Sequence, residues 1–216
     1  MTVGKQGAWG INRHGYLYRL DGNRWKLLSG GWRTVSSGGR HVWATRTDHT
    51  IRRGDGEVWQ VVPGGLMQIE ASEADNVWAI NRNHDIYRYS GISWQHISGK
   101  LSQISSGDAG VWGLTLAGTC YYRPYTYEDY PSTGGNWQVV SSSPQMKWLA
   151  SGTGVVVGVA KSGDLYYRSG VNVASPKGRG WVKVPNVSGM RQVDVFHSMV
   201  MGVDTSGRIK YSLIKQ

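Results

Sequence analysis

Trp59-Gln-Val-Val-Pro-Gly-Gly-Leu-Met-Gln-Ile-Glu-Ala-Ser72, followed by Asn76-Val-Trp-Ala-Ile-Asn-Arg-Asn-His-Asp-Ile-Tyr-Arg-Tyr89, decides the fold of this chain. Four short runs stand out: Trp59–Val62, Gln68–Ser72, Val77–Ala79 and Ile86–Arg88. Pro63-Gly-Gly65, Glu73-Ala-Asp-Asn76 and Asn81-Arg-Asn-His-Asp85 separate them. Apolar and polar residues alternate inside each run and turn formers bound it, so each predicts a strand of about four to six residues.

The same cycle recurs along the whole chain. Runs of the Val-Trp-Ala type centre on Trp9, Trp43, Trp78, Trp112, Val157 and Met201, spaced by 34, 35, 34, 45 and 44 residues. Ten or eleven residues after each centre comes the end of a second motif, giving the column Arg19, Arg53, Arg88, Arg123, Arg168 and finally Ser212. A third motif opens with Trp25, Trp59, Trp94, Trp137 and Trp181. A fourth includes Arg33-Thr-Val-Ser36, Gln68-Ile-Glu-Ala-Ser72, Gln103-Ile-Ser-Ser106, Trp148-Leu-Ala-Ser151 and Gln192-Val-Asp194. Four strands in roughly 36 residues, repeated radially, are propeller blades. One such sheet cannot bury both faces alone, whereas stacking in a closed ring can. The chain is therefore predicted to be all-β, one six-bladed β-propeller over residues 1–216. The approximate repeats are 1–31, 32–65, 66–100, 101–144, 145–187 and 188–216.

Composition agrees. Among 216 residues there are 31 Gly, 11 Trp and 12 Tyr but a single Phe, Phe196. Short strands with tight turns use that mixture. Trp9, Trp43, Trp78 and Trp112, mid-strand between small or aliphatic neighbours, are predicted to fill the wedges between blades. A linear β-solenoid is the rival architecture, disfavoured because its repeats are shorter and carry fewer bulky aromatics. Cys120 is the one cysteine, which excludes an intrachain disulfide and a cysteine-built zinc site. Residues 1–30 show no apolar signal core, and no apolar stretch approaches the ~18 residues of a membrane helix. A cytoplasmic location without a membrane span is the expectation.

The units are unequal. Six residues separate Arg from Trp in the first three units, but 14 separate Arg123 from Trp137 and 13 separate Arg168 from Trp181. Pro124–Asn136 and Ser169–Gly180 are thus enlarged loops between third and fourth strands. The first carries Tyr125, Tyr127 and Tyr130 and is either a contact surface or a tolerated insertion. At the ends, Met1–Gln6 stand where a first strand belongs and Leu213–Gln216 where a Trp strand belongs. A blade combining strands from both termini is one way to lock the ring, and the blade that Val3 joins stays open.

The motif order W-x-x-V-P-G-x-L-x-x-I-x-x-S, then V-W-A-I-N, then I-Y-R, resembles the tectonin repeat, over essentially the whole chain in six copies. Without signal peptide or disulfides, the chain is similar to the fungal members, most of all the mushroom tectonin 2 type, and less so to the secreted fish-egg lectins. The resemblance implies a propeller lectin with repeated glycan sites between blades. In the fungal group it implies recognition of O-methylated fucose or mannose on bacteria and nematodes, in innate defence, by homo-oligomers such as tetramers. Val157 and Met201 in place of Trp, and Ser212 in place of Arg, depart from the pattern and point to the first four units as the better sites.

The residues themselves offer little for catalysis. His14, His41, His49, His84, His96 and His197 are scattered without metal-ligand spacing. No nucleophile elbow or P-loop is present, and acids do not recur at one repeat position as a glycosidase pair would invite. No enzyme, metal or cofactor is expected. A pyranose offers an apolar face for an aromatic ring and hydroxyls for Arg, Asn or backbone groups. Candidate carbohydrate-binding residues are accordingly Trp25, Trp59, Trp94, Trp137 and Trp181, which open the outer strands. Arg19, Arg53, Arg88, Arg123 and Arg168 join them, and so do Asn12, Arg13, Asn81 and Arg82, which follow the second strand of units one and three. For the Trp and Arg columns, core and ligand readings both stand.

The formal net charge is +10. Residues 1–56 hold ten Lys/Arg and three Asp, a net of +7; the remainder, with 14 basic and 11 acidic residues, adds +3. One sector is therefore basic, which fits either a solvated surface or contact with anionic lipid or lipopolysaccharide phosphates. Nucleic acid is not expected as a partner. A scaffold for protein partners inside the cell is the remaining alternative.

Overall fold

The computed structural model describes residues 1–213 except positions 131, 142 and 198. Positions 214–216 of the last expected strand and position 131 of the Tyr-rich loop lie outside the described residues. Each repeat forms one antiparallel sheet with its strands in chain order. Blade 1 holds β1 (Thr2–Gly4), β2 (Gly7–Ile11), β3 (Leu17–Asp21) and β4 (Arg24–Ser29). Blade 2 holds β5 (Trp32–Ser37), β6 (Val42–Arg46), β7 (Ile51–Gly54) and β8 (Trp59–Val62). Blade 3 holds β9 (Gln68–Ala71), β10 (Val77–Ile80), β11 (Asp85–Tyr89) and β12 (Trp94–Lys100). Blade 4 holds β13 (Gln103–Gly107), β14 (Gly110–Leu114), β15 (Cys120–Arg123) and β16 (Gln138–Val139). Blade 5 holds β17 (Met146–Gly152), β18 (Val155–Ala160), β19 (Leu165–Ser169) and β20 (Gly180–Lys183). Blade 6 shows three strands among the described residues: β21 (Met190–Phe196), β22 (Met199–Asp204) and β23 (Ile209–Leu213).

The first strands line the centre. Each packs on the next, and β21 packs on β1, so the sheets close into a ring, a six-bladed β-propeller. Pairing of Thr2 with Trp9 and Val3 with Ala8 builds blade 1 from its own segment. A blade shared between the two chain ends does not form among the described residues. Three residues suffice as an inner strand, and closure is by side-by-side packing. Radial stacking also disposes of the solenoid. No helix among the described residues is long and apolar enough to cross a membrane.

Every junction between blades has its own apolar cluster. At blades 2 and 3 it joins Trp43, Ile51 and Val62 to Ile69, Val77 and Ala79. At blades 4 and 5 it joins Trp112, Leu114 and Tyr122 to Met146, Leu149 and Val156. Trp9, Trp43, Trp78 and Trp112 are at most 2% exposed, as wedge residues should be.

Among the described residues neighbouring blades share no strand pairing, so side chains of the first strands take over. The residue opposite the wedge position accepts an amide from the next blade: Thr2 from Ser37 (3.2 Å), Ser36 from Ala71 (2.9 Å), Ser105 from Ser151 (2.9 Å) and Asp194 from Val3 (2.7 Å). Gln68 clamps both backbone groups of Ile104, at 3.1 and 2.9 Å, and Gln103 those of Leu149, at 3.2 and 3.0 Å. Trp148 Nε1 donates to the Val193 carbonyl at 2.8 Å. The small polar ends of the fourth sequence motif are thus ring-closing groups, since unpaired backbone in a buried seam is costly.

A second device repeats on the face that carries the loops between second and third strands. The carbonyls of Gly15, His49, His84, Gly118 and Gly163 accept the amide that opens the next blade's first segment. All five have positive φ, including His49 (70°) and His84 (64°). Two of the scattered histidines therefore occupy a loop position that elsewhere takes glycine.

Candidate functional site: the grooves between blades

The outer-strand tryptophans sit half-buried where one blade meets the one before it. Trp94 meets Trp43 edge-on at 6.2 Å, Trp137 meets Trp78 at 6.4 Å and Trp181 meets Trp112 at 6.5 Å between ring centroids. One edge of each outer ring thus completes the wedge, and the rest borders a groove. Trp59 packs on Trp32 at 4.6 Å. Trp25 has no tryptophan to meet. It lies at the junction of blades 6 and 1 against the cluster of Val3, Ala8 and Met201. At this junction a groove is open, with a volume of about 580 Å³. Trp25, Tyr18, Asn12 and Arg13 line it from blade 1, and Arg191 and Ile209 from blade 6. A smaller groove of about 200 Å³ between blades 1 and 2 is lined by Arg19, Lys26, Asp55 and Glu57 over Trp9 and Gly56.

This architecture agrees with the family comparison, in which the tectonin domain matches residues 1–205. The chain belongs to the tectonin family. A curated relative, the perivitellin-2 31 kDa subunit of Pomacea maculata, is 31% identical to this tectonin over 106 residues. The match spans 49% of this chain and 35% of that relative. Among solved structures, human WBSCR16 superposes with a TM-score of 0.64 at 11% identity, covering 97% of this chain and 69% of that one. Prp20p from Saccharomyces cerevisiae gives 0.65 at 8% identity, covering 94% and 68%. XC5397 from Xanthomonas campestris, a gluconolactonase, gives 0.66 at 7% identity, covering 93% and 80%. At such identities the structures share the fold alone.

In this tectonin the arginine column divides. Arg19 lies over Trp9 at 5.2 Å and Arg53 over Trp43 at 5.9 Å, cation–π contacts on their own blade's wedge residue. Arg88 donates to Asn76 Oδ1 at 3.1 Å. Arg123 and Arg168 are 8% and 7% exposed. They stack over Trp137 and Trp181 at 5.2 and 5.6 Å. Their Nε groups donate to the carbonyls of Thr133 and Lys177, both at 2.7 Å. These two arginines pin the enlarged loops, and burial lowers the pKa of both guanidiniums. Within the first loop Tyr127 packs on the core, while Tyr125 and Tyr130 are exposed.

Asn12 and Asn81 serve their loops first. Asn12 Oδ1 accepts the amides of His14 and Tyr16 at 2.9 and 3.0 Å, and Asn81 Oδ1 those of Asn83 and Asp85, both at 2.9 Å. Asp204 does the same in blade 6, so this is a recurrent Asx turn. Each Asn keeps its Nδ2 toward a tyrosine hydroxyl, Tyr18 or Tyr87, at 3.4 Å. Arg13 and Arg82 are exposed. The structure thus brings Asn12, Arg13 and Trp25 into one groove. The remaining candidates are distributed around the ring.

Tyr18, Arg191 and Ile209 are groove residues that were not among the candidates. Tyr18 recurs as Tyr87, Tyr122, Tyr167 and Tyr211 one residue before the Arg column, whereas Arg191 and Ile209 belong to the degenerate sixth unit. Cys120 offers no reactive thiolate, because it is buried and burial pushes its thiol up to about 12. No group of three or more His, Cys, Asp or Glu able to hold a metal occurs among the described residues.

Proposed function

We propose that this tectonin is a multivalent, non-catalytic glycan-binding protein whose sites are the grooves between blades, with the blade 6–1 groove as its most complete site. The convergence of Trp25, Tyr18, Asn12 and Arg13 on one open groove carries this reading. The half-buried indole offers a flat apolar surface for the C–H face of a pyranose, and the amide, guanidinium and hydroxyl groups lining the same groove are of the kind that bond ring hydroxyls. The resemblance to fungal tectonins supports O-methylated fucose or mannose as the ligand and defence against bacteria and nematodes as the role. An O-methyl group adds about 0.8 kcal/mol per carbon buried in a dry notch. Each site is then weak alone. Several sites on a ring, in a homo-oligomer such as a tetramer, raise avidity by about 10²–10⁴.

Glycan-array screening with methylated and unmethylated fucosides and mannosides tests the proposal. Wild-type protein should bind methylated forms preferentially, and Trp25→Ala, assayed well below its own melting temperature because the ring also packs on Val3, Ala8 and Met201, should weaken binding at least ~10-fold. No glycan bound at high protein density would refute it.

A further inference from the structure

The mouth of the central channel, on the face with the loops between second and third strands, is cationic by construction. In blades 2, 5 and 6 the register between first and second strands slips by one residue, from Trp32 to Thr34, Met146 to Trp148 and Met190 to Gln192. The extra residue in each bulge is basic: Arg33, Lys147 and Arg191. A bulge re-aims the side chain it carries. Arg33 and Arg191, joined by Arg13 from the β2–β3 loop, line one cavity of about 500 Å³, with Trp32 and Trp148 in the same wall. That volume suits a small ligand.

These cations are left without counter-ions. Elsewhere Lys5 pairs with Glu73, Arg40 with Asp75, Lys183 with Asp164, and Arg208 and Lys210 with Asp204. No ion pair reaches Arg13, Arg33 or Arg191 among the described residues, and the contact that Arg13 makes is to His14 Nε2 at 3.1 Å. Among the described residues the one acid in the cavity wall is Glu70. Burial pushes its carboxyl up to about 8, so near neutral pH it is chiefly uncharged, and its Oε1 accepts from Gln68 at 2.9 Å.

We propose that this channel mouth is a binding site for a compact ligand bearing two or more phosphate groups, held by Arg13, Arg33 and Arg191. Guanidinium forks match phosphate oxygens in pairs. The mouth adjoins the Trp25 groove through Asn12, Arg13 and Arg191, which line both, but does not depend on glycan binding there.

Calorimetric titration of the full chain with sodium tripolyphosphate tests it. Binding should weaken at least ~10-fold in Arg33→Gln/Arg191→Gln and fall as salt rises from 50 to 200 mM. Arg24→Gln/Arg40→Gln, with the same change in charge away from the mouth, should bind like wild type. Trp25→Ala should retain tripolyphosphate binding, which separates this site from the glycan reading. Phosphatidylcholine vesicles containing phosphatidylinositol bisphosphate form a second arm. Capture abolished by Arg33→Gln/Arg191→Gln supports a lipid-borne phosphate; tripolyphosphate binding without capture supports a soluble one. Equal weakening in both double variants, or no binding of either probe, overturns the proposal. The single variant Arg33→Gln gives the same reading should the double variant lose its fold.

Discussion

Gln103→Leu removes one of the side-chain clamps that join neighbouring blades and keeps most of its volume. Gln103 is 4% exposed. Its amide accepts from the Leu149 N–H at 3.2 Å and donates to the Leu149 carbonyl at 3.0 Å. It also donates to the Ile104 carbonyl at 2.9 Å, but Gln68 donates to that same oxygen. The substitution therefore orphans two backbone groups, both on Leu149, in a seam where Leu149 is 1% exposed. Each orphaned group costs about 1–3 kcal/mol. The apolar replacement returns about 1 kcal/mol by its own burial. A net loss of about 3 kcal/mol follows, which at ~2–4 °C per kcal/mol for a chain of this length lowers the melting temperature by about 6–12 °C. Differential scanning calorimetry reads it, with the exposed Gln138→Leu on β16 as the control. A drop within ~2 °C of the control would mean that channel water replaces the clamp, and the inter-blade hydrogen bonds would not be what holds the ring.

Two further outcomes follow from the same interior. Burial, and then the neighbouring Asp194, hold the Glu70 carboxyl near 8 against an ordinary value of 4.5. The folded state therefore keeps a proton that the unfolded chain releases, so this contribution to stability is complete below about pH 4.5 and is lost as pH rises toward 8. Glu70→Gln keeps an acceptor for Gln68 and removes the charge, so its urea midpoint should match wild type near pH 4 and exceed it at pH 9; an equal gap at both pH values would refute the assignment. Gly56 has φ of 100°, and a Cβ there would lie 2.1 Å from the Trp9 ring. Gly56→Ala should cost about 2–4 kcal/mol from overpacking plus backbone strain, seen as a lower urea midpoint; an unchanged midpoint would show that Trp9 does not fix this seam.

Much of this fold was legible because its information is local. Alternation within four or five residues marks each strand, and recurrence of Trp9, Trp43, Trp78 and Trp112 marks each blade. The relations between blades were not legible. Nothing near Gln68 or Gln103 in the chain says that their amides reach Ile104 and Leu149, about a blade away. The Arg column looked uniform in sequence, yet Arg19 is exposed and Arg168 is buried under a loop, because loop length decides which it becomes. His49 and His84 gave no metal signal, but their match to Gly15, Gly118 and Gly163 is visible once the loops are superposed. The bulges that present Arg33, Lys147 and Arg191 are equally silent in sequence, since a one-residue slip leaves composition unchanged.

The blade 6–1 junction shows why degenerate repeats should not be read as merely lost. A propeller wedge filled by two tryptophans, as at Trp43 and Trp94, is a stable seam with its rings locked edge to face. Met201 fills the wedge less, and the cluster there has three buried residues, against eight between blades 2 and 3. The inter-blade hydrogen bonds persist at that seam, from Val3 to Asp194 and from Gln192 to the Met1 carbonyl. The same junction carries the open groove beside the half-buried Trp25 indole, next to the cationic channel mouth. Sites that must admit a ligand are built where packing is given up. The departure from the repeat consensus and the open groove beside Trp25 thus fall at the same junction.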